Sequence, residues 1–327
     1  MLDRRISVAP MMDYTDRHCR YLMRLLTPSA LLYTEMVTAQ AVLRGDARRL
    51  LAFDPKEHPV ALQLGGSDPD LLAAAAAVGA ASGYDEINLN CGCPSDRVQS
   101  GRFGACLMDE PDRVAECVQA MRRVVDVPVT VKCRIGIEPT RFTLDESAVL
   151  GAFVRRVAAT GCDVFIVHAR KAILAGLSPK ENREIPPLRY DIVDDLQRNF
   201  PALSIVLNGG LRRLEDVLTH LQTFAGIMIG REAYQNPYLL AELTRAVANE
   251  TWQAPTREQV IEAYLPYVRD RLAEGHRLHS LARPLLGLYA GRPGARSWRR
   301  FLSEQAAQPR TPPEFLLDSL RIVHEAA

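Results

Sequence analysis

One short segment of this 327-residue chain reads Ile87-Asn88-Leu89-Asn90-Cys91-Gly92-Cys93-Pro94-Ser95. Apolar and polar residues alternate and then give way to a loop of Gly and Pro, which is typical of a strand that ends at a turn. Other apolar runs end in the same way. The eight runs cover residues 6–9, 30–33, 60–64, 86–89, 129–131, 164–167, 203–207 and 226–229.

The spacing of these runs predicts the fold. Their starts are about 31 residues apart on average, the length of a strand, a helix and two loops. Helical patterns lie between them, most clearly at residues 68–82, 111–125, 145–159, 190–200 and 214–222. Eight such units predict a parallel (β/α)8 TIM barrel. After about residue 249 only helical patterns occur, so we expect a barrel domain over residues 1–250 and a small all-helical domain over residues 251–327.

Composition excludes several classes of protein. Hydrophobic residues make up 47% and charged residues 24%, which excludes disordered and fibrous chains. The net charge of +1 predicts no polyanion partner by itself, so such a partner must be sought in local patches. No apolar run approaches the roughly 18 residues of a membrane span, and the charged residues 1–10 contain no signal-peptide core. We therefore expect a cytoplasmic protein with no membrane partner.

The cysteines are odd in number, and none lie in a CxxC pair. Metal-type Cys and His spacing is absent, so we expect reduced, mostly buried thiols and no metal ion. The seven are Cys19, Cys91, Cys93, Cys106, Cys117, Cys133 and Cys162. Cys93 enters a Gly/Pro loop at the predicted rim of the barrel, where a thiol can donate a proton or attack a substrate. Cys91 competes for this role, and spacing alone does not separate the two.

Chemistry in such barrels takes place at the C-terminal ends of the strands. Polar residues end several runs there, including Glu35, Gln63, Asn88, Asn90, Lys132, Arg134, His168, Arg170, Asn208 and Arg231. Lys132 and His168 could be a base, a Schiff-base lysine or polarisers of a bound ring. A salt bridge for Lys132 and a structural role for His168 are the open alternatives. The Gln63 amide both donates and accepts, which suits the edge of a flavin or a pyrimidine.

Two glycine motifs follow the last two strands, Asn208-Gly209-Gly210 and Gly230-Arg231. Loops at these positions often hold a phosphate in this fold, and an arginine adds a charged clamp. Two tight turns are the simpler alternative. Residues 264–310 contain nine arginines and three carboxylates, a net charge of +6, with Trp298 and Tyr289 among them. This pattern suits phosphate contacts and stacking on RNA bases, although most charge runs are only solvated surface. We expect His276 and His279 at the surface.

Together these motifs resemble the tRNA-dihydrouridine synthases over nearly the whole chain, and the A subfamily most closely. The resemblance rests on Ala9-Pro10-Met11, Thr34-Glu35-Met36, residues 87–95, Lys132, His168-Ala169-Arg170, both glycine motifs, residues 178–187 and Trp298-Arg299-Arg300. It implies an oxidoreductase with a flavin barrel and a helical tRNA-binding domain. We also expect a monomer. Such an enzyme reduces uridine to 5,6-dihydrouridine at positions 20 and 20a of the tRNA D-loop. Reduced FMN gives hydride to C6, Cys93 gives a proton to C5, and NADPH re-reduces FMN.

The resemblance also implies residue roles. Cys93 is the proton donor. FMN would be bound by Ala9, Pro10, Met11, Gln63, Lys132, His168, Asn208, Gly209, Gly210, Gly230 and Arg231. The tRNA would be contacted by Asn90, Lys180, Arg183, Arg296 and Arg299. Cys91 departs from the family pattern, which has an apolar residue there. We expect it to face away from Asn90 as a passive substitute, which leaves open an inactivating oxidation with Cys93.

Two other functions stay open from the sequence. A flavin barrel that oxidises or reduces a free pyrimidine, of the dihydroorotate or dihydropyrimidine dehydrogenase type, would explain Cys93, Lys132 and the glycine motifs. It would not need nine arginines in an added helical domain. A tRNA-binding protein without catalytic activity would explain the arginines alone.

Overall fold

The structure is a computed structural model that describes residues 2–142, 145–248 and 252–326. Its centre is a closed barrel of eight parallel strands, each paired with its neighbours in chain order. The last strand returns to the first, with Ile6 opposite Ile227. The strands are β1 Ile6–Val8, β2 Leu31–Tyr33, β3 Val60–Gly65, β4 Glu86–Cys91, β5 Val129–Arg134, β6 Val164–His168, β7 Ser204–Asn208 and β8 Gly226–Ile229. The predicted TIM barrel is therefore confirmed.

Helices surround the barrel and cover its outer face. The α-helices of the barrel part of the chain, up to residue 247, are Arg17–Leu26, Ala39–Arg44, Ala47–Leu50, Pro69–Ala81, Asp96–Ser100, Pro111–Arg122, Glu146–Ala158, Tyr190–Asn199, Leu214–His220, Arg231–Gln235 and Leu239–Val247. Short 3-10 helices cover Pro55–Glu57, Gly104–Asp109 and Glu181–Arg183, and minor strands cover Val37–Thr38, Ile137–Glu138 and Ala172–Ile173. Local signals set the helix starts. Asp68, for example, caps the helix that begins at Pro69, a position that tolerates proline.

Two apolar layers hold the barrel together. The larger layer lies between strands and helices, and a smaller cluster fills the lower interior of the barrel with Ala9, Leu31, Tyr33, Ala61, Val164, Ile166, Val206 and Met228. Polar side chains share that interior, among them Gln63, Glu86, Asn88 and Thr130, all at most 1% exposed. The interior is thus a packed core, and a cavity opens at the C-terminal strand ends.

The chain after residue 255 is helical. Its helices are Arg257–Ala273, Leu278–Ala282, the 3-10 helix Arg283–Gly287, Ala295–Ala306, Phe315–Asp318 and Leu320–His324. They pack on the first barrel helix, where Tyr21 and Tyr267 stack with ring centroids 3.9 Å apart. The predicted domain boundary at residues 250 and 251, together with the start of the predicted linker, lies outside the described residues.

The contact between these helices and the barrel corrects one expectation. His276 is half-buried at this contact, with Nε2 2.7 Å from Arg17 Nη2 and its ring edge-on to His18. It therefore belongs to the packing of the helices on the barrel, whereas His279 is exposed as expected. Within the described ranges, no helix has both the length and the apolar character that a membrane crossing needs.

Candidate active site

The C-terminal strand ends open into a cavity of about 510 Å³, a size that suits a small molecule or cofactor. Every residue predicted to bind a cofactor lines this cavity: Ala9, Pro10, Met11, Gln63, Lys132, His168, Asn208, Gly209, Gly210, Gly230 and Arg231. Asn90, Cys93 and Arg183 line it as well. Lys180, Arg296 and Arg299 lie outside it. The structure thus brings residues from all eight strand ends or their loops to one place.

The basic side chains of Lys132 and His168, both in the cavity, differ in their charge. Burial, with a contribution from Arg134, lowers the pKa of Lys132 to about 8. Within the described part of the chain, its ammonium has no carboxylate partner, so the salt-bridge alternative is not observed. Burial and the nearby cations Arg134 and Lys132 hold the pKa of His168 well below its usual range. His168 is therefore neutral, and its buried Nδ1 has no hydrogen-bond partner among the described residues.

The glycine motifs form the part of the rim next to His168, because Asn208 pairs with His168 in the neighbouring strand. Gly209 and Gly210 have φ angles of 113° and 73°, in the left-handed region that favours glycine. A Cβ at Gly210 would lie 2.4 Å from Leu188 and 2.7 Å from the Tyr190 hydroxyl, so the turn also requires the missing side chain. At Gly230 a Cβ would meet open space. Asn208, at the end of β7, also binds the neighbouring strand β8, because its Nδ2 donates to the carbonyl of Met228 at 2.8 Å.

Arg231 stands beside this rim and is held in place by a carboxylate. Its Nη1 lies 2.6 Å from Glu184 Oε1. Arg183 lies on the same side of the cavity, and its buried Nε has no partner within the described ranges. The guanidinium groups therefore supply positive charge where the glycine loops expose backbone.

The structure distinguishes the two cysteines at the end of β4. Cys91 is 0% exposed and packs in the layer outside the barrel, where burial raises the pKa of its thiol well above the usual range. Cys93 is partly exposed and lines the cavity, with Sγ 3.6 Å from Ser95 Oγ. Cys91 faces away from Asn90 as expected for a passive wall residue, and Cys93 is the thiol that can meet a ligand.

The cavity also contains side chains that received no role from the sequence. They are Met12, Tyr14, Met36, Ser95, Arg134, Arg170 and Arg212 among others. Arg134 is the most firmly placed of these, because its Nε donates to the carbonyl of Gly92 at 2.9 Å. Most of them follow a predicted strand end within six residues, and that position was the signal by which they could have been found.

The aromatic residues of the C-terminal helices correct a second expectation. Trp298 is 0% exposed and Tyr289 is 5% exposed, with their rings packed at 4.8 Å, so neither can stack on an RNA base. Four of the nine arginines face carboxylates, in the pairs Arg269–Glu314, Arg271–Glu274, Arg283–Asp16 and Arg300–Glu304. Arg296 and Arg299 are exposed on the helix that buries Trp298. In the described ranges, no group of three or more His, Cys, Asp and Glu side chains could hold a metal ion.

A parallel barrel whose strand ends meet at one cavity, with buried cations, a thiol and a glycine rim, defines the chain as a TIM-barrel enzyme. Its fold is similar to that of a 2-naphthoyl-CoA reductase complex, with a TM-score of 0.55 and 11% identity over 74% of this chain and 50% of that one. Residues 7–324 match the family model described as "Dihydrouridine synthase (Dus)". The chain belongs to the dihydrouridine synthase family, as the sequence motifs predicted.

Curated relatives support this membership along almost the whole chain. A protein of Shewanella oneidensis is 58% identical over 93% of this chain and 90% of its own length. A protein of Synechocystis sp. is 55% identical over 97% of this chain and 93% of its own length. One of Xanthomonas axonopodis pv. citri is 56% identical over 93% of this chain and 90% of its own length. All three are named tRNA-dihydrouridine(20/20a) synthase.

Proposed function

We propose that the chain is a tRNA-dihydrouridine synthase that reduces uridine to 5,6-dihydrouridine in the tRNA D-loop, at positions 20 and 20a, with FMN as cofactor and NADPH as reductant. One observation carries the proposal: Cys93, Lys132, His168 and the glycine rim meet in one cavity in a chain of the dihydrouridine synthase family. The names of relatives at 55–58% identity supply the substrate and the positions.

The cavity has features that fit a flavin. Among the residues described, His168 Nδ1 has no hydrogen-bond partner and the Lys132 ammonium has no carboxylate partner. The polar edge of a flavin ring would supply both. We assign this edge to Gln63, Lys132 and His168, with Ala9, Pro10 and Met11 against the ring. The open space at Gly230 and the exposed backbone of the rim suit a phosphate. We assign the phosphate to Asn208, Gly209, Gly210, Gly230 and Arg231.

When bound and reduced, FMN supplies the hydride that adds to C6 of uracil. The chain must then deliver a proton to C5, and we assign this step to Cys93, whose thiol lines the cavity. Donation leaves a thiolate, which takes its proton back from solvent. Lys132, Arg134 and Arg183 line the same cavity as Cys93. Lys132 also adds positive charge beside a ring that gains electrons.

The tRNA would approach from the open side of the cavity. We assign Asn90 to the uracil edge inside the cavity and Arg183 to a phosphate at its mouth. Lys180, exposed on the same loop, and Arg296 and Arg299, exposed on the C-terminal helices, would contact the tRNA backbone. The target base must leave its stack, at a cost of a few kcal/mol, which such contacts offset. On this proposal residues 1–250 form the flavin domain and residues 251–327 the tRNA-binding domain.

The visible spectrum of the purified protein, followed under anaerobic conditions, tests the proposal. Flavin bands should bleach with NADPH and return when unmodified tRNA is added without oxygen. Bands that return only with a free pyrimidine would indicate a small-molecule dehydrogenase instead. A protein that shows no bands after incubation with FMN would be a tRNA-binding protein at most, and the catalytic proposal would fail.

A further inference from the structure

A line of hydrogen bonds runs through the barrel interior from its lower end to the loop of Cys93. It begins at Glu86, which is 0% exposed. Glu86 Oε2 pairs with Arg4 Nη2 at 2.5 Å. Its Oε1 accepts hydrogen bonds from the Tyr33 hydroxyl at 2.5 Å and from Thr130 Oγ1 at 2.6 Å. Both carboxylate oxygens therefore have partners deep in the barrel.

The line continues upward through three amides. Asn88 Nδ2 donates to Thr130 Oγ1 at 2.8 Å. Gln63 Nε2 donates to Asn88 Oδ1 at 2.7 Å, and Asn90 Nδ2 donates to Gln63 Oε1 at 2.8 Å. At the top, Asn90 Oδ1 accepts the backbone N–H of Gly92 and of Cys93, both at 3.0 Å. We call Glu86, Thr130, Asn88, Gln63 and Asn90 the Glu86–Asn90 chain.

The direction of this chain is fixed at its lower end. A carboxylate only accepts hydrogen bonds, and Arg4 pairs with this one. Thr130 must therefore donate to Glu86, which leaves its oxygen to accept from the NH2 group of Asn88. The carbonyl of Asn88 then faces Gln63, and the same step repeats at Asn90. One flipped amide would bring two oxygens or two NH2 groups together.

The upper end demands the same direction independently. Backbone N–H groups can only donate, so Asn90 must turn its oxygen toward Gly92 and Cys93. The orientation required from below and the orientation required from above agree at Asn90. The amides of Gln63 and Asn90 are therefore held by two independent constraints. Each oxygen accepts at least one hydrogen bond within the chain, and one N–H of each NH2 group is not used within it.

We propose that Glu86 and Thr130, which do not line the cavity, are positioning residues that fix the amides of Gln63 and Asn90 so that both offer N–H to the bound molecules. Both amides line the cavity, so the ligand atoms that meet their unused N–H groups are hydrogen-bond acceptors. At Gln63 these are acceptor atoms of the flavin ring, and at Asn90 a carbonyl of the uracil. This inference rests on the proposed function and adds the residues that orient its site.

Thr130→Val tests the proposal because it replaces the hydroxyl by a methyl group of similar size. Glu86 keeps Arg4 and Tyr33, but Asn88 loses its acceptor and Gln63 its fixed partner. A neutral hydrogen bond contributes about 1 kcal/mol, so we expect FMN to bind the flavin-free protein roughly fivefold more weakly. Thr130→Ser keeps the hydroxyl and is the matched control, with a dissociation constant within about twofold of wild type. FMN fluorescence titration measures both.

A double-mutant cycle separates positioning from a merely structural role. If Thr130 acts through Gln63, then Q63A/T130V binds FMN no more weakly than Q63A alone. Additive losses, or equal losses in T130V and T130S, would overturn the proposal, as would unchanged binding in T130V. Should T130V not fold, Asn88→Ser cuts the chain one link higher and replaces it in the cycle. Wild-type protein that binds no FMN would instead overturn the proposed function, so the two failures are distinguishable.

Discussion

The side chain of Asn90 holds the backbone of Cys93, because Asn90 Oδ1 accepts the N–H of Cys93 at 3.0 Å. Asn90 belongs to β4, whereas Cys93 lies in the loop that follows. The thiol is therefore placed by a barrel strand and does not depend on the loop alone. A proton donor must lie within hydrogen-bond reach of the atom it protonates, so this anchor matters for the proposed chemistry.

Replacing Cys93 by alanine should leave flavin binding intact and slow uridine reduction. The thiol is the proposed acid for C5, and a positioned general acid contributes typically 10²–10⁴-fold. We expect a loss in that range in single-turnover oxidation of the reduced protein by tRNA. The visible spectrum of the variant should match that of wild type, because among the residues that the structure describes the side chain donates only to Ser95.

Cys91→Ala is the matched control for this experiment. It removes a neighbouring thiol that is buried in the outer layer and does not line the cavity. Its turnover should stay near that of wild type. A wild-type rate in Cys93→Ala, or an equal loss in both variants, would contradict the assignment of Cys93 as the acid.

The affinity for FMN should fall as the pH rises above about 8. Burial lowers the pKa of Lys132 to about 8 in the flavin-free protein. Above that pH Lys132 is mostly neutral. If FMN binds the charged lysine more tightly, its binding must then be coupled to the uptake of a proton by Lys132. The dissociation constant should then rise by up to about tenfold per pH unit, by proton linkage. Fluorescence titration between pH 7 and 9.5 measures it.

Lys132→Met gives the comparison. It keeps the length of the side chain without a titrating group, so its FMN affinity should be weaker near pH 7 and flat across the same range. A pH dependence of equal slope in this variant would show that another group is responsible.

Much of the fold could be predicted from the sequence. The eight apolar runs correspond to β1–β8, and the run at Gly226–Ile229 matches its strand at both ends. Other strands extend past the predicted run, as β4 and β5 do by two and three residues to Cys91 and Arg134. Most of those added residues are polar, so they lie beyond the end of an apolar run, although they continue the strand into the mouth of the barrel.

The sequence predicted which residues line the cavity, but not which way each side chain faces. Strand ends meet at one rim in a parallel barrel, so the sequence pattern alone places Gln63, Lys132 and His168 together. Spacing alone did not separate Cys91 from Cys93, because the loop between them has no fixed period, and only the family resemblance favoured Cys93. Trp298 was wrongly assigned to an RNA surface because its neighbours are arginines, while the helix buries Trp298 and leaves Arg296 and Arg299 exposed.

Trp298→Ala should destabilise the protein strongly. The ring is 0% exposed and packs on Tyr289, and loss of a buried Trp costs about 3–5 kcal/mol. Chemical denaturation followed by circular dichroism measures the loss. The exposed neighbour Arg299, replaced by alanine, should leave the denaturation midpoint unchanged. A Trp298→Ala variant as stable as wild type, but weak in tRNA binding, would restore the base-stacking role that the structure contradicts.

The exposed arginines should affect tRNA binding and leave the flavin chemistry alone. Arg296 and Arg299 lie outside the cavity and, in the described part of the chain, face no carboxylate. Each alanine variant should raise the KM for tRNA severalfold and reduce the slope of log affinity against log salt by about 1. NADPH oxidation without tRNA should not change. Arg198→Ala, at an exposed arginine paired with Asp195 on a barrel helix, is the control. If it raises KM equally, the effect comes from overall charge and not from a tRNA contact at the C-terminal helices.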